Sequence, residues 1–327
     1  MKHISILIPY GHTSLVNIEG THQVFTLLNQ FLEQAGKSPE FEIELVGLAR
    51  ETTQTNGLFT VNPHRTIQEI QKTDLIIIPA IHGDPIQAYQ MNKAFVPWIK
   101  KLYSEGAEIV SLCVGAFFLA STGLLNGKQC ATHWVHAANF KKMFPKVHLV
   151  DDKILTDDRG IYTSGGAYSY LNLLLYLIEK YTGREMAILI SKAFMIDIDK
   201  ASQSPFIIFK GQKEHEDSPV KKAQEFIENN YQESLNIELL ADKFALSRRS
   251  LERRFKKATS NTISQYIQRV KIEAAKKELE TGVKNINEVM YDVGYNDVKS
   301  FRSTFKKITG ISPVQYRKKF HRQTYMA

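Results

Sequence analysis

A cysteine stands where the sequence favours an abrupt change from strand to helix. Residues 109–112 form a short apolar run, Cys113 follows it, and residues 114–117 are suited to a helix start. A thiol at such a turn is exposed at a helix N-terminus, which lowers its pKa and supplies backbone N–H donors. His133 begins a later helical pattern and is a candidate base or hydrogen-bond partner for Cys113. A buried cysteine acting as a small apolar residue is the alternative for Cys113, and it is the preferred interpretation for Cys130.

Glycines and a histidine follow the ends of other predicted strands. His82-Gly83 comes after the apolar run 75–79, and Gly165-Gly166 precedes a helical pattern whose free N–H groups would hold a carboxylate or another anion. In an open α/β sheet the carboxyl ends of the strands gather ligand sites at one edge, so these positions are candidates for a shared pocket. A lone histidine is more often a surface loop residue, and this alternative stays open for His82.

The last hundred residues repeat a basic helical unit. Residues 250–266 align with 300–316 at an offset of fifty, with seven of seventeen positions identical, and residues 237–244 align with 286–293 at an offset of forty-nine. Each copy reads as a short helix, a turn and a second helix at about 247–258 or 297–308. Ala245 or Gly294 lets the chain turn sharply between the helices. The layout is that of a helix-turn-helix.

The second helix of each copy has an apolar face and a polar face. Leu251 and Phe255 are four residues apart, as are Phe301 and Phe305, which predicts a stripe facing the core. The opposite face would enter a major groove, where arginine suits guanine edges and lysine suits phosphates. A solvated basic bundle is the alternative, but two matched copies argue against it. The predicted DNA-contacting residues are Arg248, Arg249, Glu252, Arg253, Lys256, Lys257, Val298, Lys299, Arg302, Ser303, Lys306 and Lys307.

Charge divides along the chain in the same way. The net charge is +8, and residues 219–327 hold 22 Lys and Arg against 12 Asp and Glu, whereas the rest holds 20 against 22. A basic module joined to a near-neutral one indicates a polyanionic partner for the C-terminal part. With two cysteines, no signal-peptide pattern and no apolar segment of ~18 residues, we expect a cytoplasmic protein without disulfides or membrane contact.

The first part alternates short apolar runs with longer helical patterns. This alternation predicts an open, mostly parallel α/β sheet with helices on both faces, as in flavodoxin-like folds, and residues 153–164 predict one antiparallel hairpin. Periodicity is lost over 197–218, and Ser218-Pro219 then begins a helix with a cap. We therefore predict an N-terminal domain over 1–196, a linker over 197–218 and an all-α domain with two helix-turn-helix units over 219–327. Predicted strands are 4–9, 41–47, 75–79 and 108–113, and predicted helices are 19–35, 85–104, 115–122, 134–143, 167–181, 184–195 and, between the two repeats, 263–279.

Residues 220–320 resemble the DNA-binding domain of the AraC family of bacterial regulators. The matching segments include residues 237–241, 247–251, 254–256, 292–295 and 310–316. In that family two recognition helices enter successive major grooves on one face of DNA. The resemblance implies base contacts by Arg249, Glu252 and Arg253, and less directly by the second set, Val298, Lys299, Arg302 and Ser303.

Residues 1–195 resemble the ThiJ/PfpI superfamily, which is related to class I glutamine amidotransferases, in the version fused to AraC-type domains. The resemblance is carried by residues 113–117, 123–127, 131–134 and 162–165, and it implies that Cys113 lies at the C-terminal edge of the sheet. The chain departs from the enzymes at two places. Val114 stands where the protease-like members have histidine, and Asn17 stands where superfamily members often have an acid, with Glu19 two residues away.

These observations predict a DNA-binding transcription regulator whose N-terminal domain binds a small-molecule effector without catalysis, leaving Cys113 and His133 as vestigial candidates. Its expected partners are double-stranded promoter DNA, that effector and a second copy in a homodimer, with no metal or cofactor. The alternative is a thiol hydrolase or amidase that uses Cys113 and carries an accessory basic domain. The predicted ligand-contacting residues are Asn17, Glu19, His82, Gly83, Cys113, Val114, His133, Gly165 and Gly166.

Overall fold

The chain divides into two compact units, Met1–Gln203 and Ser204–Ala327. The computed structural model describes residues 1–198, 200 and 202–321. Residues 199 and 201 of the predicted linker and residues 322–327 of the predicted C-terminal domain lie outside the described residues. The division after Gln203 falls inside the range 197–218 that the sequence predicts as a linker.

The first unit is built on a seven-stranded sheet with the strand order β12-β13-β9-β7-β1-β3-β6. Neighbouring strands run parallel except β12 and β13, which form the predicted hairpin. The strands are β1 (Lys2–Ile8), β2 (His12–Thr13), β3 (Phe41–Gly47), β4 (Thr52–Gln54), β5 (Phe59–Val61), β6 (Arg65–Thr66), β7 (Leu75–Ile78), β8 (Ile81–His82), β9 (Glu108–Ser111), β10 (Gln129–Cys130), β11 (His148–Leu149), β12 (Leu155–Asp158) and β13 (Ile161–Ser164). The predicted open, mostly parallel sheet is confirmed.

Helices cover both faces of this sheet. Because side chains alternate along a strand, Ile76 and Ile78 enter the core under α3, α4 and α5, while Leu75 and Ile77 enter the core under α1, α6 and α7. Burial on both faces explains the unbroken apolar run of β7. The helices are α1 (Leu15–Gln34), α2 (Pro85–Asn92), α3 (Phe95–Ser104), α4 (Gly115–Ser121), α5 (Ala137–Met143), α6 (Tyr170–Thr182) and α7 (Arg184–Ala193).

The prediction of a single helix over 85–104 is wrong, because the structure has two helices there. Pro97 accounts for the break, since a proline lacks the backbone N–H and its ring clashes with the carbonyl four residues earlier. It is tolerated only in a first turn, which is where α3 places it. Short strands such as β2, β8 and β10 were not predicted, because two residues cannot display a periodic pattern.

The second unit is helical throughout its described secondary structure. One core forms around α8, α9, α10 and the first half of α11, and a second core forms around the rest of α11 with α12, α13 and α14. The two predicted repeats therefore share one long helix. No helix in the described part of the chain is both long and apolar enough to cross a membrane. The helices are α8 (Ser218–Asn229), α9 (Ile237–Lys243), α10 (Arg248–Thr259), α11 (Ile263–Thr281), α12 (Ile286–Asp292), α13 (Val298–Thr309) and α14 (Pro313–Phe320).

Candidate nucleic-acid interface and ligand pocket

The helix predicted as the first recognition helix, α10, presents a basic face to solvent. Ser247 caps it, with its hydroxyl accepting a hydrogen bond from the Ser250 N–H at 3.2 Å. Leu251 and Phe255 are completely buried in the core. The opposite face, which the sequence predicted to contact DNA, is exposed at Arg249, Arg253, Lys256 and Lys257.

Two of the predicted DNA-contacting residues contact each other. The Arg248 guanidinium lies 2.7 Å from Glu238 of α9 and 3.4 Å from Glu252 one turn along α10. All three side chains are largely exposed, so these ion pairs contribute little to stability. Arg248 therefore has a protein partner in this structure, and a phosphate could replace that partner at low cost.

The second recognition helix, α13, repeats the arrangement. Asp297 caps it through a 2.7 Å hydrogen bond from the Ser300 N–H, and Phe301 and Phe305 are buried. An open groove of about 590 Å³ runs along its exposed face. The groove is lined by Asp297, Val298, Lys299, Arg302, Ser303, Lys306 and Ser312.

Most of the cations on these two faces have no acidic partner. Within the described residues, none of the following eight forms an ion pair: Arg249, Arg253, Lys256, Lys257, Lys299, Arg302, Lys306 and Lys307. Elsewhere in the same unit, cations such as Arg254, Lys276 and Lys284 do pair with carboxylates. Positive charge without an acidic partner occurs at equivalent positions of α10 and α13, and it favours a polyanion as the binding partner.

Two contacts that position these helices were not predicted from the sequence. Asp217 is the N-cap of α8, where Ser218 had been expected, and its carboxylate receives two hydrogen bonds from Arg254 of α10 at 2.8 and 2.9 Å. The buried Nζ of Lys271 in α11 donates to the Gly294 carbonyl at 2.9 Å, and burial lowers the pKa of this lysine. Neither contact has a sequence signal, because the partners lie 37 and 23 residues apart.

The Cys113 turn of the first unit has the strained geometry that the sequence predicts. Cys113 has a φ of 55°, a region that residues other than glycine rarely adopt. Its N–H donates to the Ser164 hydroxyl and its carbonyl accepts from the Thr132 hydroxyl, both at 3.0 Å. A Cβ atom on Gly115 would lie 2.6 Å from the Pro79 carbonyl oxygen, so only glycine lets α4 begin this close to the end of β7.

The predicted lowering of the Cys113 pKa is wrong. Only 3% of the residue is exposed, and this burial raises the pKa of the thiol to about 11, although the Val114 N–H acts in the opposite direction. Val114 is itself buried. The thiol is therefore protonated at neutral pH and is a poor nucleophile.

His133, the predicted partner of the Cys113 thiol, does not pair with it. No hydrogen bond joins His133 to Cys113 in the described structure; the His133 Nδ1 instead accepts from the Val135 N–H at 3.2 Å. Desolvation lowers the pKa of His133, and so do the charges of His136 and His82. Desolvation also lowers the pKa of His82, together with the charges of His136 and its cross-strand neighbour His12. No group of described side chains is arranged to hold a metal ion.

The first-loop residues differ in their surroundings. Asn17 is 4% exposed, and its side-chain oxygen accepts a hydrogen bond from the Ala80 N–H at 3.1 Å, just beyond β7. Glu19 is exposed, and its charge adds to burial in raising the pKa of Tyr170 to about 12. Gly83 is exposed with a φ of +97°, and its role in this structure is the turn itself, since nothing lies within 4 Å of a Cβ there.

The N–H groups of Gly165 and Gly166 themselves have acceptors within the protein. Gly165 donates to the Ile154 carbonyl at 2.7 Å, and Gly166 donates to the side-chain oxygen of Gln203 at 3.0 Å. Gln203 lies in the predicted linker and was not among the predicted site residues. Gln203 therefore occupies the Gly166 N–H, and the predicted ligand contacts of the two glycines stay a prediction.

The chain is similar to known proteins along both units. The DJ-1/PfpI family model matches residues 16–180, and a model described as a helix-turn-helix domain matches residues 240–319. The HTH-type transcriptional regulator GbdR of Pseudomonas aeruginosa is 26% identical over 275 residues, covering 81% of this chain and 71% of that protein. The HTH-type transcriptional regulator ArgR of the same species is 29% identical over 216 residues, covering 66% of this chain and 65% of that protein.

A solved structure shares the fold of part of the chain. The crystal structure of an AraC family transcriptional regulator from Pseudomonas putida superposes with a TM-score of 0.51 at 15% identity. The similarity covers 59% of this chain and 100% of that chain. At this identity the likeness concerns the fold alone.

Proposed function

The chain belongs to the DJ-1/PfpI family and carries an AraC-type helix-turn-helix domain, which makes it a DNA-binding transcription regulator; from this we propose that a small molecule bound beside Cys113 controls its affinity for promoter DNA. In this proposal the two recognition helices read DNA, and the first unit is a sensor without catalytic activity. The chain acts in the cytoplasm as a homodimer, each copy occupying its own site on the DNA.

The observation that carries the DNA-binding part is the pair of matched, unpaired basic faces. In each copy the buried stripe is the same, and residues three and four apart on the other side stay exposed. Arginines at these positions can contact guanine edges with two hydrogen bonds, while Lys256 and Lys306 lie nearer the helix ends and suit phosphates. Two such helices in one chain suit two successive major-groove segments.

The surroundings of Cys113 support a sensor in preference to an enzyme. A nucleophilic thiol needs a thiolate or an adjacent base, but burial keeps Cys113 protonated and His133 makes no hydrogen bond to it. Asn17 stands where an acid would orient the pair, and its oxygen is already used by the Ala80 N–H. What the site retains is a buried, sharply turned backbone to which Thr132 is hydrogen-bonded, with the His133 imidazole next along the chain, and a ligand would bind there by shape and hydrogen bonding.

A ligand screen on the full chain tests this proposal. A metabolite at 100 times its Kd stabilises the protein by ~2.7 kcal/mol, which a thermal-shift measurement detects. Each stabilising compound is then added to a titration of the protein against DNA selected from a random pool. We expect at least one compound that raises the unfolding temperature and changes the affinity for the selected DNA.

Two substitutions at Cys113 connect that response to the site. Cys113→Ser is nearly isosteric and should keep the ligand-dependent shift, whereas Cys113→Trp should abolish it, because an overpacked pocket excludes the ligand. An equal response in both variants would place the ligand elsewhere. Turnover of a defined amide or ester that Cys113→Ser abolishes would establish an enzyme and overturn the sensor proposal.

A further inference from the structure

Gln203, the last residue of the first unit, makes hydrogen bonds with every polar atom of its side chain. The side-chain nitrogen lies 2.9 to 3.1 Å from three carbonyl oxygens, those of Thr132, Asp151 and Lys153. The side-chain oxygen accepts from the Gly166 N–H, and the backbone N–H donates to the Asp152 carbonyl at 2.9 Å. With 3% of its surface exposed, Gln203 is among the most buried polar residues of the chain.

This amide lies beside the proposed ligand site. Thr132 accepts from Gln203 through its carbonyl and donates through its hydroxyl to the Cys113 carbonyl, so one residue connects the two. A Cβ atom built on Gly166 would lie 3.5 Å from the Gln203 oxygen and 4.0 Å from Nε2 of His133. Gly165 leaves no room for a side chain, since a Cβ there would lie 2.8 Å from the Gln203 nitrogen.

The groups around the amide define a binding chemistry. Three acceptors converge on one nitrogen, and one donor faces the adjacent oxygen. A carboxamide nitrogen has two hydrogens and cannot donate fully to three carbonyls at once, whereas an ammonium group has three. The subsite therefore accepts a primary carboxamide and suits an ammonium group next to an oxygen acceptor at least as well.

The residues that follow Gln203 make ring contacts and hydrogen bonds with helices of the second unit. We call residues 206–217 the strap. Phe206 packs edge-to-face on Phe320 of α14, with 5.6 Å between the ring centroids, and the Ile207 carbonyl accepts from Lys276 of α11 at 2.6 Å. Further along, the Phe209 N–H donates to Glu273 at 3.0 Å.

The other end of the strap is fastened to the first helix-turn-helix copy. The Gln212 carbonyl accepts from Gln224 of α8, and Asp217 pairs with Arg254 of the first recognition helix. The strap thus contacts elements of both copies.

We propose that Gln203 is a built-in occupant of an effector subsite, and that an effector carrying an ammonium or primary carboxamide group displaces it and releases the start of the strap. Building on the proposed function, this names the ligand class and the element that responds. Loss of Gln203 from its cradle frees three carbonyls and one N–H for the ligand. It also removes the side-chain hydrogen bonds that hold residue 203 in the first unit.

Chemical rescue tests the subsite without knowledge of the effector. Gln203→Ala in the full chain should unfold at a lower temperature than the wild type, and acetamide should restore part of the loss, by roughly 1–2 °C at a concentration near its Kd. Methylammonium chloride should act in the same way, whereas N,N-dimethylacetamide, which has no N–H, should not. Gln71→Ala, an exposed glutamine of the same unit, is the matched control and should respond to neither.

A second variant covers the case in which Gln203→Ala does not fold. Gln203→Glu keeps the size of the side chain but sets a carboxylate oxygen against three carbonyl oxygens. Hydrogen exchange at Gly166 and Gln203 should be at least tenfold faster in this variant than in the wild type, and unchanged in Gln71→Ala. Unchanged exchange at both positions would contradict the anchoring role.

DNA binding then tests the release of the strap. Without any added compound, Gln203→Ala or Gln203→Glu should change the affinity for the selected DNA at least threefold, because the Gln203 side chain no longer holds the residue before the strap in the first unit. If acetamide restores stability but the variants bind DNA as the wild type does, the proposed release of the strap is wrong and the proposed subsite stands. No rescue by either probe would overturn the subsite. The thermal readouts need neither DNA nor effector, so their failure is distinct from failure of the proposed function.

Discussion

The two helix-turn-helix copies repeat each other in the core and differ at the turn. Phe255 and Phe305 are both fully buried, and the hydroxyls of Thr259 and Thr309 both donate at 2.8 Å to the carbonyl four residues earlier. At the turns, Ala245 has a φ of 49° and is exposed, whereas Gly294 has a φ of 75° and is enclosed. A Cβ on Gly294 would lie 2.1 Å from the Gln232 carbonyl oxygen.

This difference shows that the second turn also serves as the junction between the copies. Gln232 and Glu233 belong to the loop between α8 and α9 of the first copy, and Lys271 of the shared helix reaches both Glu233 and Gly294 through backbone carbonyls. Ala245 of the first turn is exposed, and in the described structure it makes no contact of this kind between the copies. Its recognition helix is fastened instead by Arg254 to Asp217, and the position equivalent to Arg254 is Thr304 in the second copy.

The largest expected effect is at the enclosed turn. Gly294→Ala should reduce the free energy of unfolding of the second unit by about 3 kcal/mol, because alanine is strained at this φ and its Cβ would meet backbone. Far-UV circular dichroism during thermal unfolding measures the change. Tryptophan fluorescence is an internal control, since Trp98 and Trp134 both lie in the first unit.

The exposed turn supplies the matched substitution. Ala245→Gly removes the strain at a positive φ but gives the unfolded chain more freedom, so its net effect should stay within about 1 kcal/mol. Equal destabilisation by Gly294→Ala and Ala245→Gly would show that the second turn is not a junction.

The next effect concerns base recognition by the two copies. Arg253→Ala and Arg302→Ala should each cost roughly 1–3 kcal/mol on the selected DNA and relax the preference at one base pair, each in a different half of the site. Lys256→Ala should instead weaken binding to all sequences. It should also reduce the slope of log K against log salt concentration by about one. Titrations against selected and random DNA at several salt concentrations separate these roles. Equal losses on both DNAs for all three variants would contradict the assignment.

The smallest effect concerns the ion pair that only the first copy has. The hydrogen bonds from Arg254 lower the pKa of Asp217, helped by the Val220 N–H. A carboxyl group whose pKa is lowered by folding stabilises the protein above its unfolded pKa of ~3.9 and loses this contribution as the pH falls through the folded value. Asparagine also caps helices, so Asp217→Asn keeps the cap but removes the charge and one of the two acceptors for Arg254, and it should cost about 1 kcal/mol at pH 7.

The pH dependence gives the control for this pair. The difference between the wild type and Asp217→Asn should disappear at acidic pH, once Asp217 is protonated. Asp242→Asn, at an exposed residue of α9, should show little difference at either pH. A difference for Asp217→Asn that persists unchanged in acid would rule out the charge as its cause.

Features that repeat along the chain were predictable, because a repeat is visible without knowledge of the fold. The apolar run 75–78 indicated a strand buried on both faces, and the spacing of Leu251 and Phe255 located the first recognition helix to within one residue. The position of the Cys113 turn was also predictable, since the apolar run 109–112 ends there and residues 114–117 are suited to a helix start.

Features that depend on distant packing were not predictable. The shift in the pKa of Cys113 was expected in the wrong direction, because the burial of this residue depends on residues from other strands and helices that lie far away in the chain. The Gln203 side chain binds mainly carbonyl groups of the backbone, which every residue has, so no side-chain pattern marks its partners. The predicted DNA contacts and ligand contacts stay predictions.

Footprinting of the full chain on selected DNA tests most directly whether both copies read DNA. Hydroxyl-radical cleavage should show two protected segments per chain, about one helical turn or ~34 Å apart on one face of the duplex. In Arg302→Ala, protection should weaken in the segment bound by the second copy and persist in the other. A single short protected segment per chain, unchanged by Arg302→Ala, would contradict the account.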